Sequence, residues 1–183
     1  GRAMSELQLP RLISNHMVLQ RNKEIHIWGR DLPGHRVMVS FRGEEAVAQT
    51  DEKGNFSLFL QKQEAGGPFS MLFRDDLGNE EVVGDVYIGE IWFCSGQSNM
   101  ELPMNRVKDR FPEDVADCKN TQIRTFKIRE NGVFTDPLAE LESGEWKSVQ
   151  PETILDFSAA GYYFAKALQE LLKVPVGFID ASL

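Results

Sequence analysis

The sequence predicts an α/β protein in two parts: an antiparallel, jelly-roll-like β-sandwich, then the beginning of a three-layer α/β domain with a parallel sheet. Three observations carry this. Up to about residue 84, short runs that alternate apolar and polar residues are separated by turn residues roughly every 8 to 12 positions, the spacing of a small sandwich. After about residue 86, strand-like runs alternate with helical spacing. Two continuous apolar runs, Ile91–Cys94 and Val176–Asp180, bracket a helical pattern, as expected of strands covered on both faces.

In order, the first strands are predicted at 24–28, 37–41, 45–48, 55–60 and 69–73, each with one buried face. Between them stand Pro33-Gly34, Arg42-Gly43, Asp51 to Asn55, Gly66-Gly67-Pro68 and Leu77-Gly78-Asn79, residues that favour turn geometry. Asn105–Lys119 reads as helical, with Pro112 obliged to start or break the helix. Ile123–Ile128 alternates as a strand, and Thr135–Thr153 reads as a long loop punctuated by Asp136-Pro137, Ser143-Gly144 and Gln150-Pro151. Phe157, Ala160, Gly161, Phe164, Leu168, Leu171 and Leu172 then recur at helical spacing, with Asp156 or Ser158 as cap. The helix leads through Val174-Pro175 into the apolar run at 176–180. Strand, helix and strand together make a right-handed βαβ unit by default.

Bulk properties narrow the function. With 183 residues and 42% hydrophobic content the chain can build one medium domain or two small ones. A net charge of −8, with both signs interspersed and no Lys/Arg block, argues against nucleic acid as partner. No run approaches the roughly 20 apolar residues of a membrane span, and Gly1-Arg2-Ala3-Met4 opens no signal-peptide h-region. Cys94 and Cys118 are read as reduced, Cys94 serving as a small hydrophobe in its strand.

The candidate chemistry lies where the run Ile91–Cys94 turns polar at Ser95-Gly96-Gln97-Ser98-Asn99-Met100-Glu101. A serine leaving a parallel strand stands at the carboxyl edge of the sheet, where open α/β folds place their sites. Gly96 permits a tight turn and close approach of a substrate. If a helix begins after Ser98, its N–H groups and dipole favour an oxyanion there. Gly-x-Ser is also compatible with an ordinary strand-to-helix turn capped by Ser98, and the second Gly of the Gly-x-Ser-x-Gly elbow is missing. Gln97, Asn99 and Glu101 either shape the site or satisfy backbone groups at the turn. Cys94 and Ser95 are rival nucleophiles but belong to the strand end. No histidine follows Ser98; His16, His26 and His35 all lie in the first half. They read as surface or satisfied histidines rather than as a base, and their spacing does not suit a metal site. Trp28 and Trp146 could stack on sugars, though packing is the simpler role for each.

The longer block Trp92–Glu101 resembles the nucleophile block of the sialate O-acetylesterase family, carbohydrate esterases of the SGNH hydrolase superfamily. The resemblance extends to Asn15–Arg21, Ile27-Trp28-Gly29, Pro33-Gly34, Ala65–Phe69, Val86–Glu90, Phe157–Phe164 and Val174–Gly177. It implies residues 5–86 as a β-sandwich domain and 87–183 as an incomplete SGNH-type α/β hydrolase domain. It also implies Ser98 as catalytic nucleophile, its N–H as one oxyanion donor, and no metal or organic cofactor. The family's other donors, its aspartate and its histidine match no position here. The chain thus resembles an N-terminal fragment, expected to be nearly inactive alone. The resemblance further implies an acetylated carbohydrate substrate, sialic acid or polysaccharide, and a secreted or periplasmic parent protein. A sheet stopped early predicts self-association or pairing with a complementary chain carrying the rest of the hydrolase domain. The alternative function is a non-catalytic carbohydrate-binding or interaction module.

Overall fold

The computed structural model describes residues 6–94, 120–127, 144–149, 166–167 and 169–180. Among these, ten strands account for nearly all regular structure: β1 Val18–Gln20, β2 Ile25–Arg30, β3 Arg36–Phe41, β4 Glu44–Gln49, β5 Asn55–Leu60, β6 Gly66–Asp75, β7 Glu80–Cys94, β8 Asn120–Lys127, β9 Glu145–Val149 and β10 Val176–Asp180. Seven of them run in the order β4-β3-β6-β7-β10-β8-β9, with β1 paired separately to β7, and β2 and β5 form a two-stranded sheet.

The first strands form for the reasons their sequences give. Burial alternates strictly along β5, and along β2 the residues Ile25, Ile27 and Gly29 are buried while His26 and Arg30 are exposed. The inner faces of β2 and β5, with Ile25, Ile27, Phe56, Leu58 and Leu60, join Val37, Val39, Phe41, Met71 and Phe73 in one core. The β3–β4 hairpin turns on Arg42 and Gly43, both at positive φ, 50° and 87°, the geometry that matches strand twist in a two-residue loop.

The expected fold class is not what the structure has. Instead of a sandwich followed by the opening of a three-layer α/β domain, the described residues are almost all β, in mixed and antiparallel sheets. Of the helix expected over 157–172, residues 166–167 and 169–172 are helical; the remainder, and the helix expected at 105–119, lie outside the described residues. The physical cause of the difference is β7. It runs 15 residues without proline, through the expected boundary between residues 86 and 87, and so makes one continuous sheet of what looked like two. Up to Ile88 it pairs antiparallel with β6; from Glu90 to Cys94 it pairs parallel with β10.

Hydrogen bonds show which edge is which. Tyr87 N–H donates to Met17 O and Arg21 N–H to Gly89 O on the β1 side, whereas Glu90 N–H donates to Pro175 O. Alternate residues of a strand face alternate edges. Therefore β10 takes over the edge that β6 leaves, while β1 lies opposite. Residues 86–89 are buried on both faces at this exchange. The last strands add β8, parallel to β10, and β9, antiparallel to β8. β9 falls within the stretch read as a loop; its five residues are held by Trp146, buried against Phe126 and donating Nε1–H to Leu12 O at 2.9 Å. Arg124 of β8 is the largest fully buried side chain among the described residues. It reaches Asp85 Oδ2 at 2.8 Å and lies 4.5 Å from the centre of the Tyr87 ring, tying β8 back to β7.

Candidate active site

The parallel strands set the geometry. In register, Cys94 of β7 lies opposite Asp180 of β10, which lies opposite Lys127 of β8, so three parallel strands end together at one sheet edge. This is the carboxyl edge, where parallel sheets open to ligands. The backbone of Ile91–Cys94 belongs to β7 as expected. The sequence-predicted residues Gly96, Gln97, Ser98, Asn99 and Glu101 lie outside the described residues, and so do Ser95 and Cys118.

The strand leading into that block is fixed by a polar network that the sequence reading missed. β1 stops at Gln20, opposite Gly89, and the Gln20 side chain continues the pairing: its Oε1 accepts the Ile91 N–H at 3.1 Å. Its Nε2 donates to Glu90 Oε2 at 3.2 Å, and Arg21 Nε donates to Glu90 Oε1 at 2.6 Å. Two strands some 70 residues apart in the chain are thereby clamped three residues before the strand ends. The only sequence signal was the polar pair Gln20-Arg21 at the end of an apolar run. On the face of β7 and β10 that carries Ile91 and Ile179, a cavity of about 160 Å3 is walled by Trp28 and Trp146, with Gln20, Glu24 and His26 also lining it.

All three histidines have partners. His16 Nδ1 lies 2.8 Å from Asp85 Oδ2, His26 Nε2 2.7 Å from Ser57 Oγ, and His35 Nδ1 2.6 Å from Asp76 Oδ1. At about 3.3 Å per residue, Asp85 stands some 30 Å along β7 from Cys94, which removes His16 from the carboxyl edge. Burial alone raises the Asp85 carboxyl, but hydrogen bonds from His16 and Arg124 outweigh it and hold the group below its usual range. For Asp76 the Arg36 N–H and then the His35 ring do the same. Trp146 is buried and offers no sugar platform, whereas Trp28 keeps part of its ring accessible. Among the described residues no group of three or more His, Cys, Asp or Glu is arranged to hold a metal ion, and no helix is long and apolar enough to cross a membrane.

One titratable pair lies apart from the carboxyl edge. Asp31 is buried, its Oδ1 accepting the Leu32 N–H at 2.7 Å. Burial first, then the hydrogen bond to Asp75 and that group's charge, push its pKa from 3.8 up to about 6. Burial also raises Asp75, but hydrogen bonds from the Asn79 side chain, from Asp31 and from the Asn79 and Leu77 N–H groups hold it below its usual value. With Asp31 raised and Asp75 lowered, the proton that the pair holds below about pH 6 sits on Asp31. Because the folded pKa of Asp31 exceeds the unfolded one, its stabilising contribution is complete below about pH 4 and is lost as pH rises through about 6. Asp31→Asn keeps both a donor and an acceptor without the charge. We expect it to match the parent near pH 4 and to exceed it by on the order of 1–2 kcal/mol at pH 8. Urea titrations at the two pH values check this; a variant less stable at pH 8 than the parent contradicts it.

No protein-family model matches the chain. Curated relatives named sialate O-acetylesterase do, among them the mouse protein, 27% identical over 186 residues, covering 93% of this chain and 34% of that protein, and the human protein, 27% identical over 187 residues, covering 93% and 36%. The crystal structure of a carbohydrate acetylesterase from Xanthomonas citri superposes with a TM-score of 0.89 at 36% identity, covering 96% of this chain and 40% of that one. The chain thus spans between a third and two fifths of the length of these relatives, and the match is distant and at the level of the family.

Proposed function

We propose that the chain carries the nucleophile of a serine carbohydrate O-acetylesterase. In this reading Ser98 Oγ attacks the acetyl carbonyl carbon of an ester on a sugar hydroxyl. The oxyanion that forms is met by the Ser98 N–H. The intermediate collapses by breaking the bond to the sugar oxygen, which leaves as a hydroxyl once protonated. Water then hydrolyses the acetyl-serine and acetate departs. Gly96 gives the backbone its turn, and Gln97, Asn99 and Glu101 line the approach. No metal or organic cofactor takes part. Since no histidine follows Ser98 in the sequence, the general base, its aspartate and the remaining oxyanion donors come from sequence outside this chain, and the chain alone turns over acetyl esters at close to background rate.

The observation that carries the reading is that the block Trp92–Glu101 continues directly from β7, whose last residues end level with two parallel neighbours. The similarity to two enzymes named for acetyl-ester hydrolysis agrees with it. The substrate is an acetylated carbohydrate, sialic acid or polysaccharide, and the parent protein works outside the cytoplasm, secreted or periplasmic. The deciding comparison is acetyl-ester turnover by a protein joining this chain to a histidine- and aspartate-bearing remainder, against its Ser98→Ala form; equal rates overturn the assignment.

Exposed apolar side chains at Trp92, 41% accessible, and Leu171, 77% accessible, support a further part of the reading. The 183-residue chain covers them by self-association or by pairing with the complementary chain. Size-exclusion chromatography with light scattering is expected to show a species larger than 20.7 kDa; a single monomer peak across concentrations contradicts self-association.

A further inference from the structure

We infer that the outer face of the β2–β5 ribbon holds a non-catalytic binding groove for a carboxylate-bearing carbohydrate. The ribbon's inner face is core, but its outer face presents side chains in cross-strand pairs, His26 with Phe59, Trp28 with Ser57 and Arg30 with Asn55. At the Arg30 end, Gln8, the first residue of the segment 8–11, pairs antiparallel with β2. Gln8 and Arg30 exchange backbone hydrogen bonds of 2.9 and 2.8 Å. The approach is possible because residue 29 is glycine: a Cβ there would stand 2.6 Å from Gln8 O and 2.7 Å from the Phe56 ring. Between the segment and the ribbon lies a groove of about 300 Å3 with Trp28 on its wall and Gln8, Arg11, Arg30 and Asn55 among its lining residues.

Two features assign the ligand. The first is charge. The protein carries a net charge of −8, yet no lining residue is acidic and two are arginines. The Arg11 guanidinium has no ion-pair partner among the described residues. Arg30 makes one donation, from Nη2 to Lys53 O at 3.0 Å, which leaves its other N–H groups to donate. A planar guanidinium suits a carboxylate, which it can hold through two parallel hydrogen bonds. The second is the combination of an aromatic wall with amide groups. The indole of Trp28 offers a flat apolar surface of the kind on which the C–H face of a pyranose stacks. It is itself held upright by His26, whose ring is stacked at 5.0 Å from Trp28 and at 4.7 Å from Phe59. Asn55 and Gln8, both exposed, supply the donors and acceptors that ring hydroxyls need. An aromatic wall, amides and two unopposed cations fit a uronic or similarly acidic sugar better than a neutral one.

The groove deepens the esterase reading: its sugar class rests on that reading, while its charge preference stands on the geometry alone. The test is calorimetric titration of the 183-residue chain with oligogalacturonate and, in parallel, with a neutral oligosaccharide of equal length. We expect the acidic oligomer to bind at least tenfold more tightly at low salt and to lose affinity as salt is added. Arg11→Gln, a change at an exposed position, should weaken it at least fivefold, and Trp28→Phe should weaken both oligomers. Ser98→Ala should bind as the parent does. Absence of binding, equal affinity for the two oligomers, or an Arg11→Gln variant that binds like the parent overturns the groove. If the groove binds as expected while Ser98→Ala retains full turnover in the longer protein, the esterase assignment fails alone. If turnover depends on Ser98 but the acidic oligomer does not bind, the groove fails alone.

Discussion

Ser98→Ala, in a protein that joins this chain to the missing base, is expected to lower kcat for acetyl-ester hydrolysis by about 10⁴- to 10⁶-fold, leaving only what binding and oxyanion stabilisation provide. The size follows from what the hydroxyl does. In the proposed mechanism the acyl-enzyme forms on Oγ, so without it the base is left to activate a water that the site does not position. KM should change little, because the methylene of residue 98 contributes little to ground-state binding. Two controls separate chemistry from folding. Ser95→Ala, at the strand end, should retain nearly full activity, since that hydroxyl is read as structural. A phosphonate probe directed at activated serines should label the parent protein and not the Ser98→Ala form. Retained labelling or retained turnover would place the nucleophile elsewhere, with Ser95 and Cys94 the next residues to change.

Gly89→Ala should destabilise the chain by about 3 kcal/mol or more, enough to leave much of it unfolded or insoluble. A Cβ on residue 89 would collide with the carbonyl oxygen of Pro175 and stand 2.7 Å from its carbonyl carbon. These are backbone atoms, and the same oxygen accepts the Glu90 N–H at 2.9 Å. The obstruction can be relieved only by moving β10 away from β7, which breaks the parallel pairing that runs from Glu90 to Cys94. Gly78→Ala is the informative contrast. Its φ of +90° strains any L residue, but nothing lies within 4 Å of the added carbon, so its cost should stay near 1 kcal/mol. Equilibrium urea unfolding of the two variants reads the difference directly. Equal costs would mean that β10 is not seated against Gly89. A chain whose 86–94 strand has lost β10 should also lose any activity that depends on Ser98, even in a protein carrying the base.

These two positions also show how unevenly the molecule could be read from its residues. Ser98 is legible as a nucleophile only through the ten-residue block around it; the Gly-x-Ser spacing alone is equally a capped turn. Gly89 carries no local signal at all, because its neighbour Pro175 is distant in sequence. The clamp formed by Gln20, Arg21 and Glu90 is hidden for the same reason, with partners about 70 residues apart. Nothing in the sequence sets Asp31 apart; only the fold brings Asp75 beside it and raises its carboxyl. β9 was missed because five residues within a polar, proline-punctuated stretch look like loop until β8 offers an edge and Trp146 finds Phe126 and Leu12. The expected three-layer α/β fold class failed at β7, which carries one sheet through residues 80–94. The change from alternating to continuous apolar character near residue 86 was real, and in the structure it coincides with burial of both faces of β7 at residues 86–89.

The residues by themselves determined the five strands β2 to β6, their inner faces and their turns, because period-two burial and the φ demands of Arg42-Gly43 act over a few neighbouring positions. They also determined the resemblance that singles out Ser98. Tertiary structure alone decided which edges pair. Strand edges are recognised by backbone N–H and C=O groups that every residue shares, so the sequence of β7 does not say that β6 will leave at Ile88 and β10 arrive at Glu90. That exchange depends on the space available beside Gly89 and on side chains from distant segments. It sets three parallel strand ends level at the edge from which the serine block departs.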